Sequence, residues 1–277
     1  MQTAAQLVVK CLEENDVEYV FGIPGAKIDT VFNALHDSEI KLILCRHEQN
    51  ATFMAAAYGR TTGKPGVVLV TSGPGVGNLV TGLLTATTEG DPVVALGGNV
   101  ALSMKFRETH QNVDNAKLLE PVTKSSIEVT GTETISEAIA NAFRLSAEPK
   151  SGGCFISLPQ DILQQATAIE PCKKTKAINF GRASEENILN AIELIESAES
   201  PVLFLGQEAT RAENANEIVE LVRKFKIPVI STYQGAGVIP RDLMECFYGR
   251  VGLFKNQPGD KVLAQADLVI TVGLNLF

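Results

Sequence analysis

Glu48 follows the apolar run Lys41-Leu-Ile-Leu-Cys45 by three residues and opens an alanine-rich stretch, His47 to Tyr58, with helical character. If the run is a strand of a parallel sheet, Glu48 stands at the carboxyl edge of the strands, where ligands gather. The other reading of the same position is an acidic residue favoured by the helix dipole. Gly73-Pro74-Gly75-Val76-Gly77 sets three glycines between the apolar strand Gly66-Val-Val-Leu-Val-Thr71 and a helix through Leu84. Backbone can approach a ligand closely there, although tight strand–helix turns of this kind also occur without ligands. The spacing is G-x-G-x-G, neither the dinucleotide fingerprint nor a phosphate-binding P-loop. His110-Gln111 lies in a polar segment, Arg107 to Asn115, after the strand at 92–96. It is either a loop over the same edge or an ordinary surface loop. His47 has no other His or Cys near it in sequence and reads as structural or as support for a neighbouring site residue rather than as catalytic.

The elements that must position these residues alternate. Thr3-Ala-Ala-Gln6 has capping-box spacing, and Leu7, Val8, Cys11 and Leu12 then repeat with helical period. Glu18-Tyr-Val-Phe21 reads as a strand ended by Gly22, and Ile23-Pro24-Gly25-Ala26 turns into a helix with Ile28, Val31, Phe32 and Leu35 on one face. Pro92-Val-Val-Ala-Leu96 and Cys154-Phe-Ile-Ser-Leu158 complete a set of apolar strands separated by helices. Such strands imply an α/β fold, a parallel doubly wound sheet covered on both faces, over residues 1–165. Residues 166–186 are mixed polar and are expected to be a linker. A second alternating block, 187–277, has a helix at Asn187 to Ala198, a strand Val202-Leu-Phe-Leu205, a helix at Asn216 to Phe225, and strands at 228–231 and 267–272. It reads as an incomplete Rossmann-like domain that stops at Leu274-Asn-Leu-Phe277.

Composition narrows the function classes. The 277 residues are 45% hydrophobic and 20% charged, with a net charge of −8. An acidic chain repels phosphate backbones, which argues against nucleic acid. The one basic run, Lys173, Lys174 and Lys176, lies in the polar linker stretch. Five cysteines, an odd number without a C-x-x-C pair, imply reduced thiols and a cytoplasmic location. The N-terminus has no signal-like apolar region, and the short apolar runs span no membrane.

Several motifs occur in order: Phe21-Gly-Ile-Pro-Gly25, Arg46-His-Glu-Gln-Asn50, Ala55-Ala-Ala-Tyr-Gly-Arg60, Thr71-Ser-Gly-Pro-Gly75-x-x-Asn78 and Glu89-Gly-Asp-Pro92. Ser157-Leu-Pro-Gln-Asp161, Tyr233-Gln-Gly-Ala-Gly237 and Gly249-Arg-Val-Gly-Leu-Phe254 continue the series. The set resembles the N-terminal pyrimidine-binding domain and part of the central domain of thiamine-diphosphate enzymes of the acetolactate synthase group. The resemblance implies that Glu48 hydrogen-bonds N1′ of the cofactor's aminopyrimidine. The thiazolium ylid then adds to pyruvate, carbon dioxide leaves, and a hydroxyethyl enamine attacks a second 2-keto acid, giving 2-acetolactate from two pyruvates. It also implies catalytic roles for Glu48 and Gln111. Cofactor contacts are implied for Ile23, Pro24, Gly25, Glu48, Thr71, Pro74 and Asn78, and substrate contacts for Lys27, His110 and Gln111. Gly25-Ala-Lys-Ile-Asp29, Thr109-His-Gln111 and Phe254-Lys-Asn-Gln-Pro-Gly-Asp260 resemble the catabolic branch, associated with acetoin biosynthesis. Where flavin-holding relatives carry Arg-Pro-Gly-Pro, this chain has Lys150-Ser-Gly-Gly153, so FAD is not expected. Homodimers or homotetramers are implied. The family's Gly-Asp-Gly…Asn motif for magnesium and the diphosphate does not occur here. The chain is therefore expected to be an N-terminal half, with no metal residues of its own and no activity alone. Other outcomes left open are a remnant that associates with full-length subunits, and another thiamine-diphosphate keto-acid decarboxylase or oxidase.

Overall fold

The computed structural model describes residues 1–174 and 181–274. They form two compact units, Met1–Ile178 and Asn179–Phe277. The first contains β1 (Gln2–Thr3), α1 (Ala4–Glu14), β2 (Tyr19–Gly22), α2 (Asp29–His36), β3 (Lys41–Leu44) and α3 (Glu48–Thr62). It continues through β4 (Gly66–Val70), α4 (Pro74–Gly77), α5 (Val80–Glu89), β5 (Val93–Asn99), α6 (Asn115–Leu119), β6 (Ser125–Glu128), α7 (Ile135–Ala147), β7 (Gly153–Pro159), α8 (Gln160–Leu163) and β8 (Ala166–Thr167). The second contains α9 (Glu185–Ser197), β9 (Pro201–Leu205), α10 (Ala212–Phe225), β10 (Val229–Ser231), β11 (Phe247–Arg250), α11 (Pro258–Gln265) and β12 (Leu268–Val272).

Six parallel strands in the order β3-β2-β4-β5-β7-β6 form the main sheet of the first unit. Period-two alternation divides its core between two faces. Val20, Val67, Leu69, Val94, Leu96 and Ile156 pack with α1, α2 and α7. Phe21, Val68, Val70, Val93, Ala95 and Phe155 pack with α3 and α5. Helix α3 uses alanines because α5 comes close: a Cβ on Gly82 would lie 2.5 Å from the Cβ of Thr52. This is the covered parallel sheet expected from the apolar runs.

The sheet of the second unit has the order β11-β10-β9-β12, also parallel. In chain order this is 3-2-1-4, a Rossmann-like arrangement. Leu203, Leu205, Ile218, Val222 and Val229 are buried in its larger core cluster.

The structure departs from the expected linker at its start. Ala166–Thr167 pairs antiparallel with Gln2–Thr3, Gln2 Nε2 donates to Ile169 O at 2.7 Å, and Lys174 Nζ meets Asp16 Oδ2 at 2.6 Å. A polar tail needs no apolar run to be zipped onto a free strand edge, which is why composition alone did not predict it. Helix α9 begins at Glu185 on the Ser184 cap, inside the stretch expected to be linker. Lys176 and residues 275–277 lie outside the described residues. All five cysteines are free thiols. No helix of the described residues is long and apolar enough to cross a membrane.

Candidate active site

Strand order selects the site before any side chain is considered. The first strand of the main sheet, β2, lies between the second, β3, and the third, β4, so the chain reverses direction across the sheet at the β2–β4 boundary. Ligands of such sheets bind outside the carboxyl ends of the strands at this point. The two segments that leave it are Ile23-Pro24-Gly25 and Thr71-Ser72-Gly73. They are pressed together: Ile23 N donates to Leu69 O at 3.2 Å, and a Cβ on Gly25 would lie 2.6 Å from the Cβ of Thr71. Gly73 adopts φ +58°, a backbone that L side chains rarely adopt, and Pro74 then starts the short helix α4.

Glu48 comes to this point from the next strand over. It is the first residue of α3, and His47 caps that helix, its Nδ1 accepting from Gln49 N at 3.1 Å. His47 thus has a helix-capping role. Asn78, just after α4, donates from Nδ2 to Glu48 Oε2 at 2.8 Å. The other oxygen, Oε1, has no hydrogen-bond partner among the described residues, and a Cβ on Gly75 would sit 3.5 Å from it. Gln111 enters from the segment after β5. Its φ is +62°, and a Cβ on Gly73 would lie 2.9 Å from both its Cα and its carbonyl oxygen. Ser72 Oγ is 3.5 Å from Gln111 Oε1.

Of the residues singled out from sequence, Gly25, Glu48, Thr71, Pro74, Asn78 and Gln111 therefore converge on one edge, with Ile23 and Pro24 in the strand exit beside Thr71. Lys27 is placed there only through its main chain, whose carbonyl would lie 2.6 Å from a Cβ on Gly98 at the end of β5. His110 is exposed in the turn beside Gln111. Ser72, buried under Gln111, carries no sequence signal beyond its place in the glycine turn. A second polar cluster was also not legible. Lys105, Asn99 and Ser157 all bond the buried Glu128 carboxylate. Lys105 is held above the ordinary lysine pKa, first by its hydrogen bond to that carboxylate.

The residues present fit the aminopyrimidine end of thiamine diphosphate. The carboxylate is oriented from one side by Asn78 and unpaired on the other. Thr71 Oγ1 is buried without a partner. Glycine backbone at 25, 73 and 75 lines the rest. A flat heterocycle with ring nitrogens and an amino group can use each of these.

Comparison with known proteins decides the family. A profile described as "Thiamine pyrophosphate enzyme, N-terminal TPP binding domain" matches residues 2–118, and one described as "Thiamine pyrophosphate enzyme, central domain" matches residues 188–277. The chain belongs to the thiamine pyrophosphate enzymes. Its relatives in that family include an acetolactate synthase of Bacillus subtilis, 51% identical over 269 residues, covering 97% of this chain and 47% of that protein. A catabolic acetolactate synthase of Raoultella terrigena is 45% identical over 269 residues, covering 97% of this chain and 48% of that protein. The large subunit of acetolactate synthase isozyme 2 of Escherichia coli is 33% identical over 271 residues, covering 97% and 49%. The chain thus spans about half the length of the curated relatives it matches.

Proposed function

We propose that the protein carrying this chain is an acetolactate synthase of the catabolic type, joining two molecules of pyruvate to 2-acetolactate with loss of carbon dioxide. The observation that carries the reading is the Glu48 carboxylate, held by Asn78 at the glycine-lined reversal point of the sheet. The identities of 51% and 45% to acetolactate synthases support the choice of reaction. Bound thiamine diphosphate supplies the carbanion chemistry through its thiazolium ring. The chain's own work is orientation and proton transfer. Glu48 Oε1 shares a proton with a pyrimidine ring nitrogen, while Asn78 keeps Oε2 fixed. Ile23, Pro24, Gly25, Thr71 and Pro74 would hold the ring. Gln111 and His110, on the segment after β5, would contact the substrate, and Lys27 would offer a cation to the keto-acid carboxylate.

Magnesium and the diphosphate are held, on this reading, by residues other than those described here; among the described residues no group of three or more His, Cys, Asp or Glu could hold a metal ion. No flavin is needed, as the Lys150-Ser-Gly-Gly153 stretch implies. Self-association as a homodimer or homotetramer is supported by exposed Leu42 and Leu44 on β3 and by Phe53 and Met54 on α3. A cytoplasmic location accords with five free cysteines.

The test is to purify the protein that carries this chain, record its visible spectrum, and incubate it with pyruvate, thiamine diphosphate and magnesium. Acetolactate and carbon dioxide should form without added FAD. Acetaldehyde or acetate as the main product would assign a different reaction, and stoichiometric bound flavin would remove the branch assignment.

A further inference from the structure

We propose that Lys105 and Glu128 are positioning residues, an ion pair at the carboxyl edge of the sheet that holds the segment bearing Gln111 against the cofactor turn. The inference rests on the reading of the site given above. Glu128 is the last residue of the edge strand β6, yet its side chain is only 8% exposed. The neighbouring strand ends explain how a carboxylate is tolerated there. Asn99, at the end of β5, donates from Nδ2 to Glu128 Oε2 at 2.5 Å, and Ser157 of β7 donates from Oγ to the same oxygen at 3.0 Å. These two donors are fixed by the sheet and by the bond from Val100 N to Asn99 Oδ1. They leave Oε1 for one further partner, and Lys105 Nζ reaches it at 2.6 Å from the segment that follows β5.

Two further ties make that segment one piece. At its start, Leu102 N donates to both oxygens of Asp161, each at 3.1 Å. At its end, the two N–H groups of Asn112 Nδ2 are shared among the carbonyls of Met104, Lys105 and Arg107, at 3.2, 3.0 and 2.6 Å. Residue 112 is thereby strapped to residue 105, which is anchored on Glu128. Gln111 lies directly before the strap, in a left-handed backbone that a non-glycine residue keeps only when its surroundings impose it. A merely structural ion pair would seal the sheet edge without consequence for residue 111. The strap through Asn112 links the two.

The decisive variant is the double replacement Lys105→Met with Glu128→Gln in the protein that carries this chain. It removes the ion pair without leaving an unpaired buried charge. Amide hydrogen exchange of the cofactor-free protein should speed up about tenfold or more across residues 106–112, with strands β4, β5 and β7 unchanged. Turnover with pyruvate at saturating cofactor should fall about tenfold or more while KM moves less than about threefold, because a misplacement of about an ångström can be this costly. Lys105→Arg, which keeps the charge, should stay within about threefold of wild type in both measurements. Unchanged exchange at 106–112 overturns the proposal. So does faster exchange that extends equally through the strands, or faster exchange at 106–112 with turnover intact. If the wild-type protein forms no acetolactate, the reaction assignment fails, and the exchange measurement alone decides the positioning role.

Discussion

Asn78 illustrates how little at the site is set by one residue alone. It is exposed, but its amide fixes one oxygen of Glu48 at 2.8 Å. Hydrogen bonds to charged groups contribute about 1.5–3 kcal/mol, and exposure puts this one at the low end. Asn78→Ala should therefore weaken thiamine diphosphate binding about tenfold while leaving stability within about 0.5 kcal/mol of wild type, as for other surface changes. Calorimetric titration checks this, and affinity within twofold would show that Glu48 does not depend on Asn78. Gly73 is constrained differently. Its φ of +58° and the approach of Gln111 leave no room for a methyl group. Gly73→Ala should cost about 1–3 kcal/mol, visible as a lower urea midpoint with an unchanged slope. Glu48 and the glycine turn could be singled out because each closely follows a run of strand character. Position alone left a helix-dipole residue and a ligand-free turn open, and it was the ordered set of motifs that pointed to a site. The approach of Gln111 to Gly73 was not legible, since 38 positions separate them and only the strand order of the sheet brings them together.

Elements with a strong period were easiest to read. Helix α1 has the capping box its sequence implies, with Thr3 Oγ1 accepting from Gln6 N at 3.2 Å and Gln6 Oε1 accepting from Thr3 N at 2.9 Å. Thr3→Ala should cost about 1 kcal/mol, measurable by urea unfolding. The strands β4, β5 and β7 are buried throughout and matched their expected positions to within a few residues. The edge strand β6, Ser-Ser-Ile-Glu, has no apolar run and is only half-buried, so it carries no periodic signal. The helix α7 does carry a signal, with Ile135, Ala138, Ile139, Ala142 and Phe143 buried at helical spacing. In the second unit, Asp267 accepts from Glu199 N at 2.7 Å and Ser200 N at 2.9 Å, which holds its carboxyl below the ordinary aspartate value. A lowered pKa means the contribution is present above the unfolded value and is lost as pH falls through the folded one. Asp267→Ala should accordingly flatten the acid limb of the stability profile of this unit.

The fold buries three of the five thiols, Cys11, Cys154 and Cys246. Burial, the largest cause, pushes Cys11 and Cys154 each up to about 11. The neutral thiol is what the fold favours, so this contribution is present below the ordinary cysteine range and is lost as pH rises through about 11. At pH 8 an alkylating reagent should label the half-buried Cys45 and Cys172 and spare Cys11 and Cys154 until the protein is unfolded. Mass spectrometry of the labelled peptides reads the order, and early labelling of Cys154 would contradict the packing of β7. At this scale the alternation of strands and helices was legible as two α/β blocks, but the return of residues 166–174 to the first unit was not. The proposed chemistry rests on one carboxylate that strand order, helix α3 and Asn78 deliver to the reversal point. The direct test is the turnover of Glu48→Gln against wild type, in the protein that carries this chain, with pyruvate at saturating thiamine diphosphate and magnesium. Glutamine keeps the shape but cannot share a proton with a ring nitrogen, and acid–base steps of this kind contribute about 10²–10⁴-fold. Acetolactate formation should fall about 100-fold or more with the thermal midpoint preserved; turnover within twofold of wild type would contradict the account.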